Sequence, residues 1–145
     1  MRDFFFLDID TQVDFMEPKG RLYVKGAVQI TGNIRRLMKF ALKTHIPVLS
    51  TADTHTQNDP EFRLFPRHCV KGTYGHSRIN ESSLRVSVVF RVGAASSPPT
   101  AARAFACHPQ VIMEKPQLDM FSSPHARNLL VALPREAVVF GVATD

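Results

Sequence analysis

The apolar positions of the chain follow two patterns, short runs of strand length and longer stretches with a helical period. Residues 4–9 are nearly continuous in apolar side chains, which is typical of a strand covered on both faces, as in a parallel sheet. Further runs at residues 46–53, 111–115 and 136–145 predict three more strands.

Two of the intervening stretches carry apolar residues at helical spacing. The members of the first stripe are Ile34, Leu37, Met38, Ala41 and Leu42. This helix should end before Pro47, because a residue that precedes proline avoids the α region. A second helix should begin with Ser123 as its N-cap and Pro124 as its first residue. Its buried stripe consists of Leu129, Leu130 and Leu133. Strands that alternate with helices predict an α/β fold around a parallel sheet.

Residues 82–110 interrupt this order. They begin with the strand-like stretch RVSVVFRV, but a Ser/Pro/Ala-rich stretch without a clear period follows. We interpret them as an irregular insertion in a single domain that spans residues 1–145. Because the composition differs so sharply from that of the flanking residues, a sequence error or frameshift remains an alternative.

Size and composition favour one globular domain. A chain of 145 residues with 44 % hydrophobic residues can bury one core. Cys69 and Cys107 have no paired spacing, so they predict neither a disulfide framework nor a CxxC metal site. No apolar run approaches the roughly 20 residues of a membrane helix, and the N-terminus does not resemble a signal peptide. We therefore expect a cytoplasmic protein that does not associate with membranes.

The formal charge of +5 would suit a nucleic-acid partner, but its distribution argues against one. Residues 82–110 hold three arginines and no acidic residue, so much of the excess lies in that segment. The chain also lacks an aromatic RNA-binding signature, a zinc knuckle and a Lys/Arg run. We expect no nucleic-acid partner.

Ionisable residues follow each predicted strand: Asp10, Asp53, Lys115 and Asp145. Ligands of open parallel sheets bind at the carboxyl ends of the strands, so four such residues favour a site at this edge. A solvated strand end is the alternative for any one of them. Lys115, the only lysine beyond residue 71, could form with Asp10 either a structural ion pair or part of a catalytic arrangement.

Asp53, His55 and His68 form a second group of candidate residues. Alternate residues of an extended segment point to the same side, so Asp53 and His55 could converge on one ion, with His68 added from a separate loop. One carboxylate and two imidazoles leave an open position, as in catalytic rather than structural metal sites. The alternative is a set of polar residues that only form hydrogen bonds.

Six stretches in order resemble the isochorismatase-like cysteine hydrolases, nearest to the nicotinamidase-type amidases. They are DIDTQVDF (8–15), LYVKGA (22–27), STADTH (50–55), DPEFRLFPRHCVKGTYG (59–75), MEKPQLDMFS (113–122) and VVFGVATD (138–145). The resemblance implies a three-layer α/β/α fold around a parallel sheet, incomplete at the C-terminus.

The resemblance also implies roles for individual residues. Asp10 matches the general base and Lys115 the catalytic lysine, whereas Asp14 is expected to position a loop. Phe15 matches an aromatic wall of the substrate pocket, with ordinary core packing as the alternative. The matching ligands of a zinc or iron ion are Asp53, His55 and His68. A cis peptide bond is expected near Val142–Ala143.

The implied activity is cysteine-dependent hydrolysis of a small carboxamide, such as nicotinamide, to an acid and ammonia. The family's nucleophile lies two residues beyond the aspartate that matches Asp145, so the chain as given is expected to be inactive and to expose a sheet edge. The alternatives are a non-catalytic metal-binding or small-ligand-binding protein and a truncated gene product without function. Family members often form dimers or tetramers, so a homo-oligomer is expected for the full-length protein.

Overall fold

Five parallel strands form the central sheet of the structure, a computed structural model that describes residues 3–94 and 98–143. They are β1 (Phe4–Ile9), β2 (Val48–Asp53), β3 (Ser87–Phe90), β4 (Gln110–Lys115) and β5 (Glu136–Gly141). The order across the sheet is β3-β4-β2-β1-β5, and all neighbours are parallel. The chain therefore places β2, β3 and β4 on one side of β1, with β4 between β2 and β3, and returns to the other side of β1 with β5. The winding direction changes at β1.

Helices cover both faces of this sheet. They are α1 (Val13–Met16), α2 (Ala27–Thr44), α3 (Ala101–Cys107) and α4 (Ala126–Val131). Phe6 packs in one hydrophobic cluster with Ile34 of α2, whereas Phe5 packs in the opposite cluster with Leu129 of α4. Consecutive residues of β1 thus face different helical layers, which explains the continuous apolar run and confirms the three-layer α/β/α fold.

The four strands predicted from the sequence are present, with shifted ends. β2 begins at Val48 rather than at residue 46, and β5 ends at Gly141. Asp145, predicted to end the last strand, lies outside the described residues. The predicted end of the first long helix is confirmed, because α2 stops at Thr44 and His45 caps it in a left-handed conformation with φ 56°.

The structure corrects the interpretation of residues 82–110 as an irregular insertion. β3 lies within them and extends the sheet, with Val88 in register with Val111 of β4. α3 follows, and its N-cap Thr100 accepts a hydrogen bond from the Arg103 backbone N–H at 3.4 Å. The fully buried Ala104 packs on the sheet in the cluster that contains Phe5. Because alanine is small, α3 can pack closely on the sheet without large apolar residues. The sequence therefore shows no large apolar stripe that would identify this helix.

The start predicted for the last helix is also corrected. α4 begins at Ala126 with His125 as its N-cap, two residues after the proposed Pro124. The Ser123 hydroxyl instead accepts from the His125 backbone N–H at 3.4 Å, and the Ser123 carbonyl accepts from Ala126 N–H at 3.3 Å. Ser123 therefore shapes the turn that leads into the helix.

Residues 3–94 and 98–143 also show an edge strand and allow the peptide bonds and the helices to be compared with the predictions. β5 pairs with β1 and is an edge strand, with Val138 43 % and Val139 52 % exposed. No peptide bond in this part of the chain is cis, contrary to the expectation for Val142–Ala143. None of the helices is long and apolar enough to cross a membrane.

Candidate active site

Ionisable residues of three strands meet at the carboxyl edge of the sheet, as predicted. Lys115 Nζ lies 3.0 Å from Asp10 Oδ2 and 3.1 Å from Asp53 Oδ1. Asp53 and Lys115 end neighbouring strands in direct register, and Asp10 follows the end of β1 on the other side of β2. All three are buried, so Lys115 bridges two carboxylates away from water.

Thr51 fixes the position of Asp10. Its Oγ1 accepts from the Asp10 backbone N–H at 3.1 Å and donates to Asp10 Oδ1 at 2.6 Å. Asp10 has φ 47°, a left-handed conformation that is costly for residues other than glycine and common at functional sites. With Oδ1 held by Thr51 and Oδ2 by Lys115, the carboxylate has one defined orientation.

Burial and charge act in opposite directions on this pair. Burial raises the pKa of Asp10 above its ordinary value, and this outweighs the lowering by Lys115 and by the Thr51 hydrogen bond. Burial alone would lower the pKa of Lys115, but the Asp10 and Asp53 carboxylates raise it. Lys115 is therefore a cation at neutral pH, and Asp10 is a better proton acceptor than an exposed aspartate.

The predicted metal ligands converge beside this pair. Asp53 Oδ2 lies 2.9 Å from His55 Nε2 and 3.2 Å from His68 Nε2. Glu61 was not predicted, yet its Oε1 lies 3.9 Å from His68 Nε2, and one ligand atom from each of the four residues falls within 4.8 Å of the others. Glu61 belongs to a short 3₁₀ turn, Pro60–Arg63, where no sequence pattern distinguishes it from a surface acid.

The other ring nitrogen of each histidine lies close to an oxygen atom. His68 Nδ1 lies 2.7 Å from the Pro66 carbonyl, and His55 Nδ1 lies 3.0 Å from Asp59 Oδ2, although at angles that do not meet hydrogen-bond geometry. Such partners on Nδ1 turn Nε2 toward a metal ion in metal-binding histidines. Both Nε2 atoms here face Asp53 Oδ2.

Without a metal ion, Asp53 and the imidazoles shift one another's pKa. Burial alone would lower the pKa of His55, but the hydrogen bond and charge of Asp53 raise it to about 9. For Asp53, burial acts to raise the pKa, but its contacts with His55, His68 and Lys115 hold it well below its ordinary range. A carboxylate that stays ionised beside two imidazoles has the donor chemistry of a divalent-metal site.

Gln12 is a supporting residue that sequence reasoning missed. Its Oε1 accepts from the Asp53 backbone N–H at 2.7 Å, and its Nε2 donates to the Asp53 carbonyl at 2.9 Å and to the His76 carbonyl at 2.9 Å. Gln12 is fully buried and thereby fixes the backbone of Asp53. Its position two residues after Asp10 within DIDTQVDF was the available signal.

The other two aspartates of that motif organise the surroundings of the site. Asp14 accepts from the backbone N–H groups of Cys69 at 2.7 Å and Arg21 at 3.0 Å, so it joins two loops, in accord with the role expected from the resemblance. Asp8 forms a buried ion pair with Arg78 and accepts from Ser50 Oγ at 3.0 Å. The carboxylates that Lys115 contacts are those of Asp10 and Asp53, not those of Asp8 and Asp14.

Phe15 contributes to both the core and the metal-ligand cluster. It is buried in the hydrophobic cluster of α2, and its ring centroid lies 5.5 Å from that of His68. Core packing is therefore established, and a role as a pocket wall stays a prediction.

Neither cysteine is placed to serve as a nucleophile whose proton Asp10 could accept. Cys69 is fully buried. Burial is the main cause that raises the pKa of its thiol far above the ordinary value, and the charges of Asp53 and Asp14 raise it further. Cys107 is exposed at the end of α3, just before β4 begins, and so lies toward the opposite edge of the sheet.

Fold and site together define a three-layer α/β domain of the hydrolase type, with a carboxylate–lysine pair and a candidate metal cluster at the carboxyl edge of its parallel sheet. The sequence matches the isochorismatase domain over residues 5–145, so the chain belongs to the isochorismatase family. A comparison with curated proteins finds no match.

Solved structures show the same fold. A nicotinamidase/pyrazinamidase from Bacillus subtilis has a TM-score of 0.74 and 23 % identity, covering 99 % of this chain and 73 % of that one. A pyrazinamidase from Pyrococcus horikoshii in complex with zinc has a TM-score of 0.71, 22 % identity and coverage of 99 % and 72 %. An N-carbamoylsarcosine amidase from Thermoplasma acidophilum has a TM-score of 0.68, 21 % identity and coverage of 97 % and 68 %.

Proposed function

We propose that the complete protein hydrolyses a small carboxamide, of which nicotinamide is one example, to a carboxylic acid and ammonia. The observation that supports this most is the bridge that Lys115 forms between Asp10 and Asp53, which joins a base, a cation and a metal-ligand cluster in one buried site. The fold shared with solved amidases agrees with this assignment.

Asp10 and Lys115 are the residues that act on protons and charge in this proposal. Asp10, with its raised pKa, accepts the proton of a cysteine thiol and later delivers it to the departing ammonia. The Lys115 ammonium stabilises the thiolate electrostatically. The nucleophile in this proposal is a cysteine two residues beyond Asp145, as the family resemblance implies.

We further propose that Asp53, His55 and His68 hold a divalent ion, zinc or iron, with Glu61 next to them. The hydrogen-bond contact of His68 Nδ1 with the Pro66 carbonyl fits this role, because such a partner turns Nε2 toward the cluster. His55 Nδ1 lies 3.0 Å from Asp59 Oδ2, on the side of the ring away from the cluster. A bound ion supplies a Lewis acid that can hold and polarise a small substrate.

The activity is tested by measuring ammonia release from a panel of carboxamides with the product of the whole coding sequence. Asp10→Asn should lower kcat at least about 100-fold, because a neutral amide cannot accept the thiol proton. Asp3→Asn, at an exposed position, is the matched control and should retain activity. If the whole gene product released no ammonia from any carboxamide, the proposed activity would be wrong.

Metal binding is tested on the 145-residue chain by titration with zinc after treatment with a chelator. One zinc ion per chain is expected, and Asp53→Ala should weaken binding by at least about 100-fold, because it removes the carboxylate that contacts both imidazoles. Asp3→Asn should bind like the unaltered chain. Equal zinc affinity in Asp53→Ala would contradict the assignment of the cluster.

A non-catalytic metal-binding or small-ligand-binding protein is the second candidate. The cluster of Asp53, His55, Glu61 and His68 favours it, because binding an ion there requires no nucleophile. Stoichiometric zinc binding together with no ammonia release from the whole gene product would support this candidate over the first.

A further inference from the structure

A cleft of about 560 Å³ opens beside the metal-ligand cluster. His68 belongs to its lining, so the cleft and the cluster share one wall. Ligand pockets in proteins combine such a concave shape with a few polar groups that select the ligand. A larger cavity of about 650 Å³ lies at the opposite edge of the sheet, near Pro47 and Pro109, away from the ionisable residues of the site.

The cleft carries an unbalanced set of charges. Its cationic residues are Lys19, Arg21 and Arg67, and its acidic residues are Asp14 and Glu17. In the part of the chain that the structure describes, none of the three cations has a carboxylate within ion-pair distance. The two acids are already engaged, Asp14 by two backbone N–H groups and Glu17 by the Tyr74 hydroxyl at 2.9 Å.

The structure holds the side chain of Arg67 and the backbone of Arg21 in place. Arg67 donates from Nη2 to the Gln57 carbonyl and, at 3.3 Å, to Asn58 Oδ1, and its guanidinium carbon lies 5.8 Å from the centre of the Phe62 ring. The Arg21 backbone is anchored by Asp14. Side chains that are oriented before binding lose less entropy when they bind an anion.

The loop that carries Lys19 and Arg21 packs tightly on α1. A Cβ atom on Gly20 would lie 2.7 Å from the Val13 carbonyl oxygen, so only glycine permits this approach. Leu22 N–H donates to the Asp14 carbonyl at 3.1 Å, which holds the loop after the turn. Lys19 and Arg21 therefore lie on a fixed segment next to the site.

We propose that the substrate is a carboxamide that also carries an anionic group, a carboxylate or a phosphate, which Arg21 and Arg67 bind in this cleft. The inference rests on the proposed amidase function, whose site it extends from the metal-ligand cluster into the cleft. Guanidinium groups form paired hydrogen bonds with carboxylates and phosphates, and a concave site with one excess sign of charge concentrates its field on a ligand.

The test compares three probes on the zinc-loaded 145-residue chain by calorimetric titration. The probes are nicotinamide, 5-carbamoylpyridine-3-carboxylate and the neutral methyl ester of that acid, which has nearly the same shape. The acid should bind about tenfold more tightly than the ester at low salt, and the difference should shrink in 0.5 M NaCl, because salt screens exposed charges.

Variants identify the source of the preference. Arg21→Gln and Arg67→Gln should each reduce the preference for the acid by about threefold or more, whereas Glu17→Gln should increase it. Arg36→Gln removes the same charge from an exposed position of α2 and is the matched control, with no expected change. All four positions are at least partly exposed, and an unchanged unfolding midpoint checks each variant.

Three results would overturn the inference: no binding of any probe, equal binding of acid and ester, or a preference that survives the double substitution of Arg21 and Arg67. A preference that survives the double substitution would mean that the carboxylate of the acid probe binds the metal ion instead of the cleft. These results are independent of ammonia release, so a charge preference without turnover would refute the amidase proposal and leave the anion site standing.

Discussion

Replacement of Lys115 by methionine is expected to lower the free energy of unfolding of the metal-free chain by about 3–5 kcal/mol at pH 7. The substitution keeps most of the side-chain volume but leaves the buried carboxylates of Asp10 and Asp53 without their shared cation. Removing one partner of a buried ion pair costs more than the pair itself contributes, because the remaining charge is not hydrated. Asp53 keeps its contacts with His55 and His68, so most of this cost falls on Asp10. Urea unfolding of both proteins measures the difference.

The sign of the pH dependence follows from Asp10. Its pKa is raised in the folded chain, and the loss of Lys115, which lowers it, would raise it further. A carboxyl with a raised pKa stabilises the folded state below its unfolded pKa of about 4 and loses this contribution as the pH rises through the folded value. The deficit of Lys115→Met should therefore be smallest near about pH 4 and grow toward pH 7.

Two variants serve as controls. Lys39→Met, on the exposed face of α2, should change stability by no more than about 0.5 kcal/mol. Adding Asp10→Asn to Lys115→Met should restore part of the loss, since the side chain left without its cation is then neutral. A deficit below about 1 kcal/mol at pH 7 would show that water reaches the pair.

Replacement of Gly141 by alanine is expected to destabilise the chain by about 3 kcal/mol or more. Gly141 ends β5 with φ 122°, a conformation that residues with a side chain rarely adopt. An added Cβ would lie 2.8 Å from the Ile9 backbone nitrogen and closer still to the Ile9 carbonyl oxygen. Backbone on both sides must then move, which weakens the pairing of β1 and β5 directly before Asp10.

Gly32→Ala provides the opposite expectation within the same chain. Gly32 lies in the exposed part of α2, and a Cβ there would meet no atom within 4 Å. Alanine should stabilise the helix by about 1 kcal/mol, because glycine loses more backbone entropy on folding. An unchanged or raised thermal midpoint in Gly141→Ala would contradict the close contact with Ile9.

The sequence predicted those elements whose apolar residues either form a continuous run or repeat at helical spacing. β1 and β2 each begin with a run of apolar residues, and α2 repeats its buried residues at helical spacing, so each could be located without a partner. α3 could not be located, because its contact with the sheet is made by Ala104, whose small side chain creates no pattern. The start of α4 was placed wrongly because Ser123 and Pro124 favour a helix N-terminus and a turn alike.

The site was predictable to the extent that it depends on strand ends. Asp10, Asp53 and Lys115 were placed at one edge because parallel strands share their carboxyl ends, and the structure brings them within hydrogen-bond distance. Glu61 and Gln12 were missed, because a surface turn and a short connection gave no reason to direct them into the site.

The amino-acid sequence by itself determined the strand and helix pattern, the residue types at the carboxyl edge and the family motifs, since all of these are local or depend on order along the chain. Only the tertiary structure decided that Lys115 contacts both carboxylates, that Gln12 fixes the Asp53 backbone and that Arg21 and Arg67 line one cleft. These contacts join residues about 40 or more positions apart, and strand register and loop packing, not local propensity, set their distances.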